Sequence, residues 1–462
     1  MPQGTGRAQM LALCLVNFLV ALEFSIVNVA LPALQQDLDI QATTAQWILS
    51  GYALAFGSAL LCGGRVADLL GARRVLLAGL LAFVATSAAA AAAPNFALLA
   101  ACRVSQGASA AAATPAALGL VTRLFAGPDR LRALSWWGAA ASLGFACGAV
   151  FGGVLTGVAG WRSIFLACAA LGCVAIALVR FRVPDLPRAV GAQPDWLGAV
   201  QMALCGAALI MTLSLAPRAQ QEPGLLLLSG IAATMLATAL VFRRRRHPAP
   251  LIPHGFLTRR VVLQGNLFGA WAAAAGGSMV YFATSLMQSA LHWSDAVTGL
   301  MLLPDAAAAA VGARVAAPLS RRLGRTQTCR AGLAAILTGM VVLAATPLDA
   351  AAVGVLVLGT SLVGFGLVLV AVVASMLASD GLQEGEHGLS GGVLMTTQQL
   401  GVSIGLGCLL LVAQLAPGTP TSVGSIRACF LAGAGLAALA CLRIASASRS
   451  KNAAAADAAT DA

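Results

Sequence analysis

Charged residues are scarce in this chain of 462 residues, where they make up 10% of the total. A soluble domain of ordinary composition carries about 25%. Aromatic residues are also few, at 5%, whereas 59% of the residues are hydrophobic. The composition therefore argues against a water-soluble globular protein and favours helices that lie in lipid.

Histidine is equally rare, and cysteine occurs without the spacing of a metal site. The histidines fall in loops and mostly far apart, at His247, His254, His292 and His387. The 11 cysteines lie in or near apolar runs with no CxxC pair, as expected for small core residues. The sequence therefore predicts neither a metal site nor disulfides.

Fourteen apolar stretches of membrane-spanning length alternate with short loops. A hydrocarbon core about 30 Å thick needs about 20 apolar residues per helix, and backbone groups in lipid must be satisfied within a helix. The predicted fold class is an all-α polytopic membrane protein with about 14 transmembrane helices. The predicted spans cover residues 10–31, 47–64, 75–93, 96–121, 133–158, 163–179, 196–215, 225–242, 261–286, 297–313, 331–345, 350–377, 389–415 and 425–441.

The arginines divide unequally between the two sides of these spans. When Arg7, the even-numbered loops and the C-terminal tail are placed on one face, that face collects 24 of the 28 Lys and Arg residues. The positive-inside rule then puts both termini in the cytoplasm, and we expect a multi-pass protein of the cell (inner or cytoplasmic) membrane. The net charge of +12 is read as a topology signal. It does not predict nucleic-acid binding, because it is split among short loops and termini.

The organisation looks duplicated. The loop after the second span, residues 64–74, resembles the loop after the tenth, residues 317–325. Parallel repeats of this kind suggest two bundles that rock about a site near the midplane. We predict an N-terminal six-helix bundle, an inserted helix pair with its linkers, a C-terminal six-helix bundle and a disordered cytoplasmic tail, at residues 1–183, 184–260, 261–444 and 445–462.

Six short segments, distributed along nearly the whole chain, carry glycines or charged or polar residues. The second loop carries Gly64, Asp68, Gly71, Arg73 and Arg74. The fourth span carries Leu99, Arg103, Gln106 and Gly107, and the fifth carries Gly144, Gly148, Gly152 and Gly153. The first span reads EFSIVNVALP from Glu23, and WRSIF and QQLG begin at Trp161 and Gln398.

Together these segments resemble the motifs of the major facilitator superfamily and, within it, of the fourteen-span drug/proton antiporters. The matched patterns are GxLaDrxGrr, lxxxRxxqG, gxxxGPxxGG and DxTIVNVALP. The chain departs from them at Glu23 and Ser25, where the pattern has Asp and Thr, and at Ala149, where it has proline. The resemblance implies two six-helix bundles with two extra helices between them.

Asp68 lies between two glycines and just before two arginines. The glycines allow tight turns and close helix approach, and Asp68 can accept hydrogen bonds from arginines or from a helix N-terminus. The resemblance implies that Gly64, Asp68, Gly71, Arg73 and Arg74 form a conformational latch that stabilises the outward-facing state. The alternative is a static loop tie. In the second copy of the loop, Arg321 stands where the acid would be.

Glycines recur along the fifth span at Gly144, Gly148, Gly152 and Gly153. Small residues at intervals of four let helices approach closely, a device open to any membrane bundle. The resemblance implies export, because this motif is typical of antiporters. With Ala149 in place of proline, the kink that a proline provides is not expected.

Three ionisable residues fall inside predicted spans: Glu23, Arg103 and Asp305. Placing an ionisable residue in lipid has a high free-energy cost, so these residues are functional candidates. At about 1.5 Å per residue, all three lie about 10–12 Å below the outer boundary. Burial favours a neutral carboxyl and a nearby arginine an ionised one, so movement of Arg103 can load and release a proton at Glu23. We predict proton coupling by these three residues; the alternative is a structural ion pair, or an Asp305 at the cavity rim.

Polar and aromatic residues inside other spans are candidates for the substrate path. They are Asn28, Gln106, Trp271, Tyr281, Gln398 and Gln399. The aromatic members could stack on an aromatic substrate. The alternative for the amides is hydrogen bonding between helices.

The sequence therefore predicts a proton-coupled secondary active transporter that exports small amphipathic drugs, antibiotics or metabolites by alternating access, and not an enzyme. A proton symporter that imports a small metabolite is the alternative. A channel would need rings of charge or a carbonyl filter, and an enzyme would need a cluster of catalytic groups. The expected partners are a small-molecule substrate, protons and the lipid bilayer. No nucleic acid and no cofactor beyond the proton gradient are expected, and the chain is expected to act as a monomer.

Overall fold

The computed structural model describes residues 3–40, 42–186, 196–215, 223–246, 252, 255–293, 295–380, 382, 386–416 and 422–460, and within them it is helical without strands. Its first eight helices are α1 (Gln3–Asp37), α2 (Ala42–Leu70), α3 (Ala72–Ala91), α4 (Phe96–Leu124), α5 (Gly127–Ala159), α6 (Arg162–Arg182), α7 (Trp196–Leu215) and α8 (Pro223–Arg246).

The second part of the chain contains shorter and interrupted helices. They are α9 (Arg260–Gly276), α10 (Met279–Ser285), α11 (Asp295–Met301), α12 (Leu303–Leu323), α13 (Arg325–Ala344), α14 (Ala352–Ala378), α15 (His387–Leu415) and α16 (Val423–Thr460). A π-helical turn, Leu286–Ala290, follows α10 directly. Much of the two predicted linkers, at 187–195 and 247–254 apart from residue 252, lies outside the described residues.

Eleven described helices are long and apolar enough to cross a membrane. The predicted fourth, seventh and ninth spans are not among them. The fourth corresponds to α4, whose hydropathy is lowered by Arg103 and Gln106, and the seventh contains the shorter apolar stretch Leu197–Thr212. The ninth is interrupted, since α9 ends at Gly276 and α10 begins only at Met279.

The loop predicted at residues 64–74 is wrong in extent. Helix α2 continues to Leu70 and α3 begins at Ala72, so only Gly71 separates them. Gly71 has a φ of 99°, a conformation that favours glycine. Gly64 and Asp68 therefore lie on the last turns of a helix, where their positions are fixed more tightly than a loop would fix them.

The tenth span and the C-terminal tail also differ from prediction. Leu302 separates α11 from α12, and α12 continues to Leu323 through most of the predicted second loop. Residues 445–460 of the tail predicted to be disordered are the helical end of α16, which reaches Thr460. Its alanines explain the difference, because alanine has the highest helix propensity.

Helix packing places α15 between the two parts of the chain. Helix α1 packs on α5, α2 on α4, and α3 on α4 and α6, whereas α14 packs on α9, α12 and α13. Helix α15 packs on α9 and also on α2 and α4. The inserted helix α7 contacts α2 and α15, and α8 packs against α7. Contacts of α15 with α2 and α4 therefore join early and late helices.

Candidate proton-coupling site and helix latch

An ion pair between Arg103 of α4 and Glu23 of α1 lies in the protein interior. The side chains are 1% and 0% exposed. Arg103 Nη1 donates to Glu23 Oε1 at 2.5 Å and to Gln106 Oε1 at 2.9 Å, and its Nε donates to the Ile48 carbonyl at 3.1 Å. The structure thus brings together two of the three predicted proton-coupling residues. Such a buried charge is tolerated because it is paired and hydrogen-bonded.

Gln106 extends this network to a fourth helix, α3. Its Nε2 donates to Ser87 Oγ of α3 at 2.8 Å, while its Oε1 accepts from Arg103. Gln106 is fully buried. Both ends of its amide are therefore engaged inside the protein, which makes Gln106 a positioning residue for Arg103. Its place on the substrate path stays a prediction.

The glycines of α5 hold α1 at close range. A Cβ added at Gly148 would lie 2.6 Å from the Leu22 carbonyl oxygen, and one at Gly152 would lie 2.8 Å from that of Ile26. Gly144 faces the backbone of Phe18 in the same way. Gly153 is different, since its nearest neighbour, a Val29 methyl, is 3.8 Å away. The first three glycines thus fix the segment of α1 that carries Glu23.

Asp68 binds the N-terminus of α15. Its Oδ1 accepts from the Gly388 amide at 2.9 Å and its Oδ2 from the Leu389 amide at 2.7 Å. These amides belong to the first turn of α15, where backbone donors lack partners within the helix and the dipole favours an anion. Gly64 and Gly388 face each other so closely that a Cβ on either would overlap the other's backbone.

Further contacts surround this junction, on what we call the arginine-rich face: the helix ends near Arg65, Arg73, Arg123 and Arg259. Thr122 Oγ1 of α4 lies 3.1 Å from His387 Nδ1. Arg259 pairs with Glu386 through two hydrogen bonds of 2.5 and 2.9 Å.

The two arginines of the predicted latch contact the end of the sixth helix. Arg73 Nη2 donates to the Arg180 carbonyl at 2.5 Å, and Arg74 lies 3.7 Å from the Asp185 carboxylate. These contacts link α3 to the end of α6 and the chain just after it. Within the predicted latch, it is therefore Gly64 and Asp68 that touch α15.

Asp305 lies apart from the Glu23–Arg103 pair. It is in the first turn of α12, directly after the break at Leu302, and it packs against Gly364 of α14. Its Oδ1 is buried without a hydrogen-bond partner. No contact between Asp305 and the pair is found among the described residues.

The predicted substrate-path residues occupy different environments. Asn28 is exposed on α1, where its amide donates to the Phe24 carbonyl at 2.7 Å. Gln399 reaches Gly57 of α2, and Gln398 reaches Gly269 of α9. Trp271 packs against the core, and Tyr281 is 55% exposed. Gln398 and Gln399 are neighbours on α15, and they contact α9 and α2, respectively.

Sequence reasoning missed two features, the first of which lies beside the pair. Tyr52 of α2 lies under the Arg103 guanidinium, with Cζ 4.4 Å from the ring centroid. It is one of only 2 tyrosines in the chain, and this scarcity could have drawn attention to it.

The second missed feature is a clamp around Asp37. Its Oδ2 accepts from Trp161 Nε1 at 3.0 Å and from Arg162 Nη1 at 2.7 Å. Trp161 is 3% exposed. The hydrogen bond from Arg162, followed by that from Trp161, holds the pKa of Asp37 below its usual range.

A groove away from these residues lies between α7 and α8. It has a volume of about 440 Å³ and a mostly apolar lining that includes Thr212, Leu227, Gly230 and Met235. None of the predicted site residues lines it. The groove therefore belongs to the inserted pair and not to the ion pair or the latch.

These features define a multi-pass helical membrane protein. It has a buried ion pair, and Asp68 of α2 binds the N-terminus of α15. The family model of the Major Facilitator Superfamily matches residues 13–406. The chain belongs to this superfamily, whose members are transporters and not enzymes.

Relatives of the chain include proteins named as exporters and as resistance proteins. A cephamycin export protein of Amycolatopsis lactamdurans is 33% identical over 421 residues, covering 88% of this chain and 85% of the relative. A puromycin resistance protein of Streptomyces alboniger is 33% identical over 86% and 80% of the two chains. A multidrug resistance protein of Mycobacterium tuberculosis is 27% identical over 87% and 76%.

Solved structures share the fold. A human organic anion transporter superimposes with a TM-score of 0.70 at 16% identity, over 96% of this chain and 100% of that one. A proton:xylose symporter gives 0.68 at 15% identity, over 96% and 95%. At these identities the likeness concerns the fold alone.

Proposed function

We propose that this protein is a proton-coupled secondary active transporter that exports small amphipathic drugs, antibiotics or metabolites by alternating access. The observation that carries the proposal is the buried Glu23–Arg103 pair, held on α1 and α4 behind the glycines of α5. Intramembrane ionisable groups are costly and mark ion pathways. The names of the relatives, which include export and resistance proteins for cephamycin and puromycin, support the direction of transport.

The architecture that we propose has fourteen crossings. Residues 1–183 and 261–444 form two six-helix bundles, residues 184–260 hold the inserted pair, and residues 445–462 form a cytoplasmic tail. Both termini lie in the cytoplasm and the chain sits in the cell membrane. This orientation follows because the positive-inside rule assigns the arginine-rich face to the cytoplasm. The packing of α8 on α7 supports an inserted pair at the side of the bundles.

Proton loading follows from the chemistry of the pair. With Arg103 in place, Glu23 is kept ionised; when Arg103 withdraws, burial favours the neutral acid and a proton is taken up. The return of Arg103 expels this proton. Asp305 is the second acidic group of the mechanism, since its buried, unpartnered oxygen can also hold a proton.

Alternating access uses the junction between Asp68 and α15. While Asp68 holds the Gly388 and Leu389 amides, the arginine-rich face is closed and the opposite face is open. Release of this contact lets α15 separate from α2 and α4. Asn28, Gln398, Gln399, Trp271 and Tyr281 are candidates to meet the substrate between the bundles, on its way past α15.

The proposed transport needs few partners. They are the substrate, protons and the lipid bilayer, with the proton gradient as the energy source. No cofactor, metal ion or nucleic acid enters the proposal, and a single chain suffices, because both bundles belong to it.

Drug accumulation in cells tests the proposal. Cells that produce the protein are compared with cells that produce the Glu23→Gln variant, across a panel of antibiotics and dyes, with and without a protonophore. We expect lower accumulation of some compounds only with the wild type, and a return to the control level after protonophore addition. Higher accumulation driven by the gradient would instead indicate the importing symporter.

A further inference from the structure

The guanidinium of Arg103 is held between aromatic rings as well as by hydrogen bonds. Its Cζ lies 4.4 Å from the Tyr52 centroid and 6.0 Å from that of Phe165. A cation over a ring face is attracted by the ring, more strongly where water is excluded. The position of Arg103 therefore depends on Tyr52 of α2 and Phe165 of α6.

Tyr52 belongs to a row of rings that begins at an exposed surface. Its ring stacks on Phe56 at 6.0 Å with an interplanar angle of 11°, and meets Phe24 at 6.1 Å and 60°. Tyr52 is 1% exposed, whereas Phe24 is 40% exposed. The row thus has an open end at Phe24 and a closed end at Arg103.

Through Phe56, the row of rings also reaches a contact between an early and a late helix. Gly57, which follows Phe56 on α2, lies against Gln399 of α15. Asn28, one helical turn beyond Phe24 on α1, is also exposed. Glu23 is fully buried although it is the neighbour of Phe24 in sequence. One turn of α1 thus carries both an exposed ring and a buried carboxylate that contacts Arg103.

The ring of Tyr52, and not its hydroxyl, holds Arg103. The Tyr52 Oη is buried without a hydrogen-bond partner. Removing this oxygen should therefore leave the cation–ring contact in place, whereas removing the ring should free one side of the guanidinium. This gives a matched pair of substitutions at one position.

We propose that Phe24 is a stacking platform for planar aromatic substrates, and that Tyr52 transmits occupancy of this platform to the Glu23–Arg103 pair. A planar molecule that stacks on Phe24 shifts its ring against Tyr52. Starting from the state in which Arg103 is withdrawn and Glu23 is protonated, Tyr52 then returns the guanidinium to the paired position seen in the structure, and Glu23 loses its proton. The transmission rests on the proposed proton-coupled export; the platform does not.

Ethidium binding by the purified full-length protein tests the platform, with lincomycin as a non-aromatic comparison. We expect Phe24→Leu to weaken ethidium binding about tenfold, the value of one aromatic pair, and to leave the effect of lincomycin on thermal unfolding unchanged. Phe24→Trp should retain ethidium binding. Equal ethidium affinity in wild type and Phe24→Leu, or no binding to the wild type, would overturn the platform.

Proton release on ethidium binding tests the transmission, measured with a pH indicator in weakly buffered detergent. We expect Tyr52→Leu to bind ethidium yet release less than half as many protons per bound molecule as wild type, and Tyr52→Phe to match wild type. Tyr52→Met serves if the Leu variant does not fold. Phe282→Leu, in a separate ring cluster with Tyr281 and Phe430, controls for the loss of a buried ring.

Two outcomes separate this inference from the proposed function. Full proton release by Tyr52→Leu, with wild-type release intact, would overturn the transmission and leave proton coupling standing. Ethidium binding without any proton release by the wild type would overturn the transmission together with proton coupling. The affinity of Phe24→Leu would still decide the platform in that case.

Discussion

Arg103 shows how much of the site depends on the partners of a single side chain. Its hydrogen bonds reach α1 through Glu23 and α2 through Ile48, while Gln106 ties it to α3. Removing one member of a buried pair leaves an uncompensated charge, which costs about 3–5 kcal/mol. Substitutions that remove one of the two charges are therefore expected to perturb the site more than substitutions that keep both, such as Glu23→Asp.

Asp37 gives a pH-dependent prediction. Hydrogen bonds from Arg162 and Trp161 hold its pKa below the usual range, so the clamp stabilises the protein above the pKa of the unfolded chain, about 3.9. This contribution is lost as the pH falls through the lower pKa of the folded state. Asp37→Asn should therefore melt below wild type at pH 7, and the difference should shrink only as the pH falls through the lowered pKa of folded Asp37.

Thermal unfolding in detergent across this pH range measures the difference. Asp129→Asn is the control, because Asp129 forms an exposed pair with Arg132 and should change little. A melting difference at Asp37 that does not shrink at low pH, or that is missing at pH 7, would contradict the assigned role.

The packing of α5 against α1 shows which glycines of the fifth-span motif make close contacts, and the sequence alone does not show this. Gly148→Ala places a Cβ 2.6 Å from the Leu22 carbonyl oxygen, so α1 must shift next to Glu23. Gly153→Ala meets only a Val29 methyl at 3.8 Å. Overpacking costs about 1–3 kcal/mol, so Gly148→Ala should lower both the melting temperature and export, whereas Gly153→Ala should match wild type.

Export assays with matched membrane levels of the two glycine variants check this prediction. Equal losses of export in Gly148→Ala and Gly153→Ala would mean that the motif acts through its glycine content and not through the contact with α1.

The contact of Asp68 in α2 with the N-terminus of α15 gives a second prediction at the scale of helices. Asp68→Asn keeps the volume but replaces one accepting oxygen with a donor, which then faces the amide of Gly388 or Leu389. Hydrogen bonds to a charged group contribute about 1.5–3 kcal/mol, so the closed arginine-rich face should be populated less and transport should fall about tenfold or more.

Transport by Asp68→Asn is compared with Asp129→Asn, another acid near a helix start on the same face. Both variants should reach the membrane. Wild-type transport by Asp68→Asn would reduce the contact to a structural tie.

Elements and their faces were more predictable from the sequence than the contacts between them. The apolar runs predicted α7 to its first and last residue, and the depth estimate anticipated a meeting of Glu23 with Arg103. The breaks at Gly277 and Leu302 were missed because the spans were placed by hydropathy, which does not change there, although a Gly–Gly pair and Pro304 lie at these positions. Tyr52 was missed since a ring–cation contact depends on how α2 and α4 pack, which no local pattern encodes.

Contacts between early and late helices determine what the whole molecule can do. The Asp68 junction, the Thr122–His387 contact and the facing of Gly64 with Gly388 all lie on the arginine-rich face. Because Asp68 has no acidic counterpart in the second repeat, where Arg321 stands, we expect this junction to hold the face closed from one bundle only.

The arginine-rich face also predicts the orientation of the protein in the membrane. In a cysteine-free background, a cysteine at His292 should react with an impermeant reagent in intact cells, and one at Arg322 should react only after permeabilisation. Both positions are exposed at helix ends, so access depends on sidedness. The reverse pattern would invert the proposed topology.

Proton-driven transport by Glu23→Gln in proteoliposomes tests the central claim most directly, with a compound that the accumulation panel identifies as exported. Glutamine keeps the shape of the side chain but cannot release a proton, so an imposed pH difference should no longer drive accumulation, while exchange of substrate across the membrane persists. Glu23→Asp should retain driven transport. Accumulation by Glu23→Gln in proportion to the pH difference would contradict the assignment and move the proton site to Asp305.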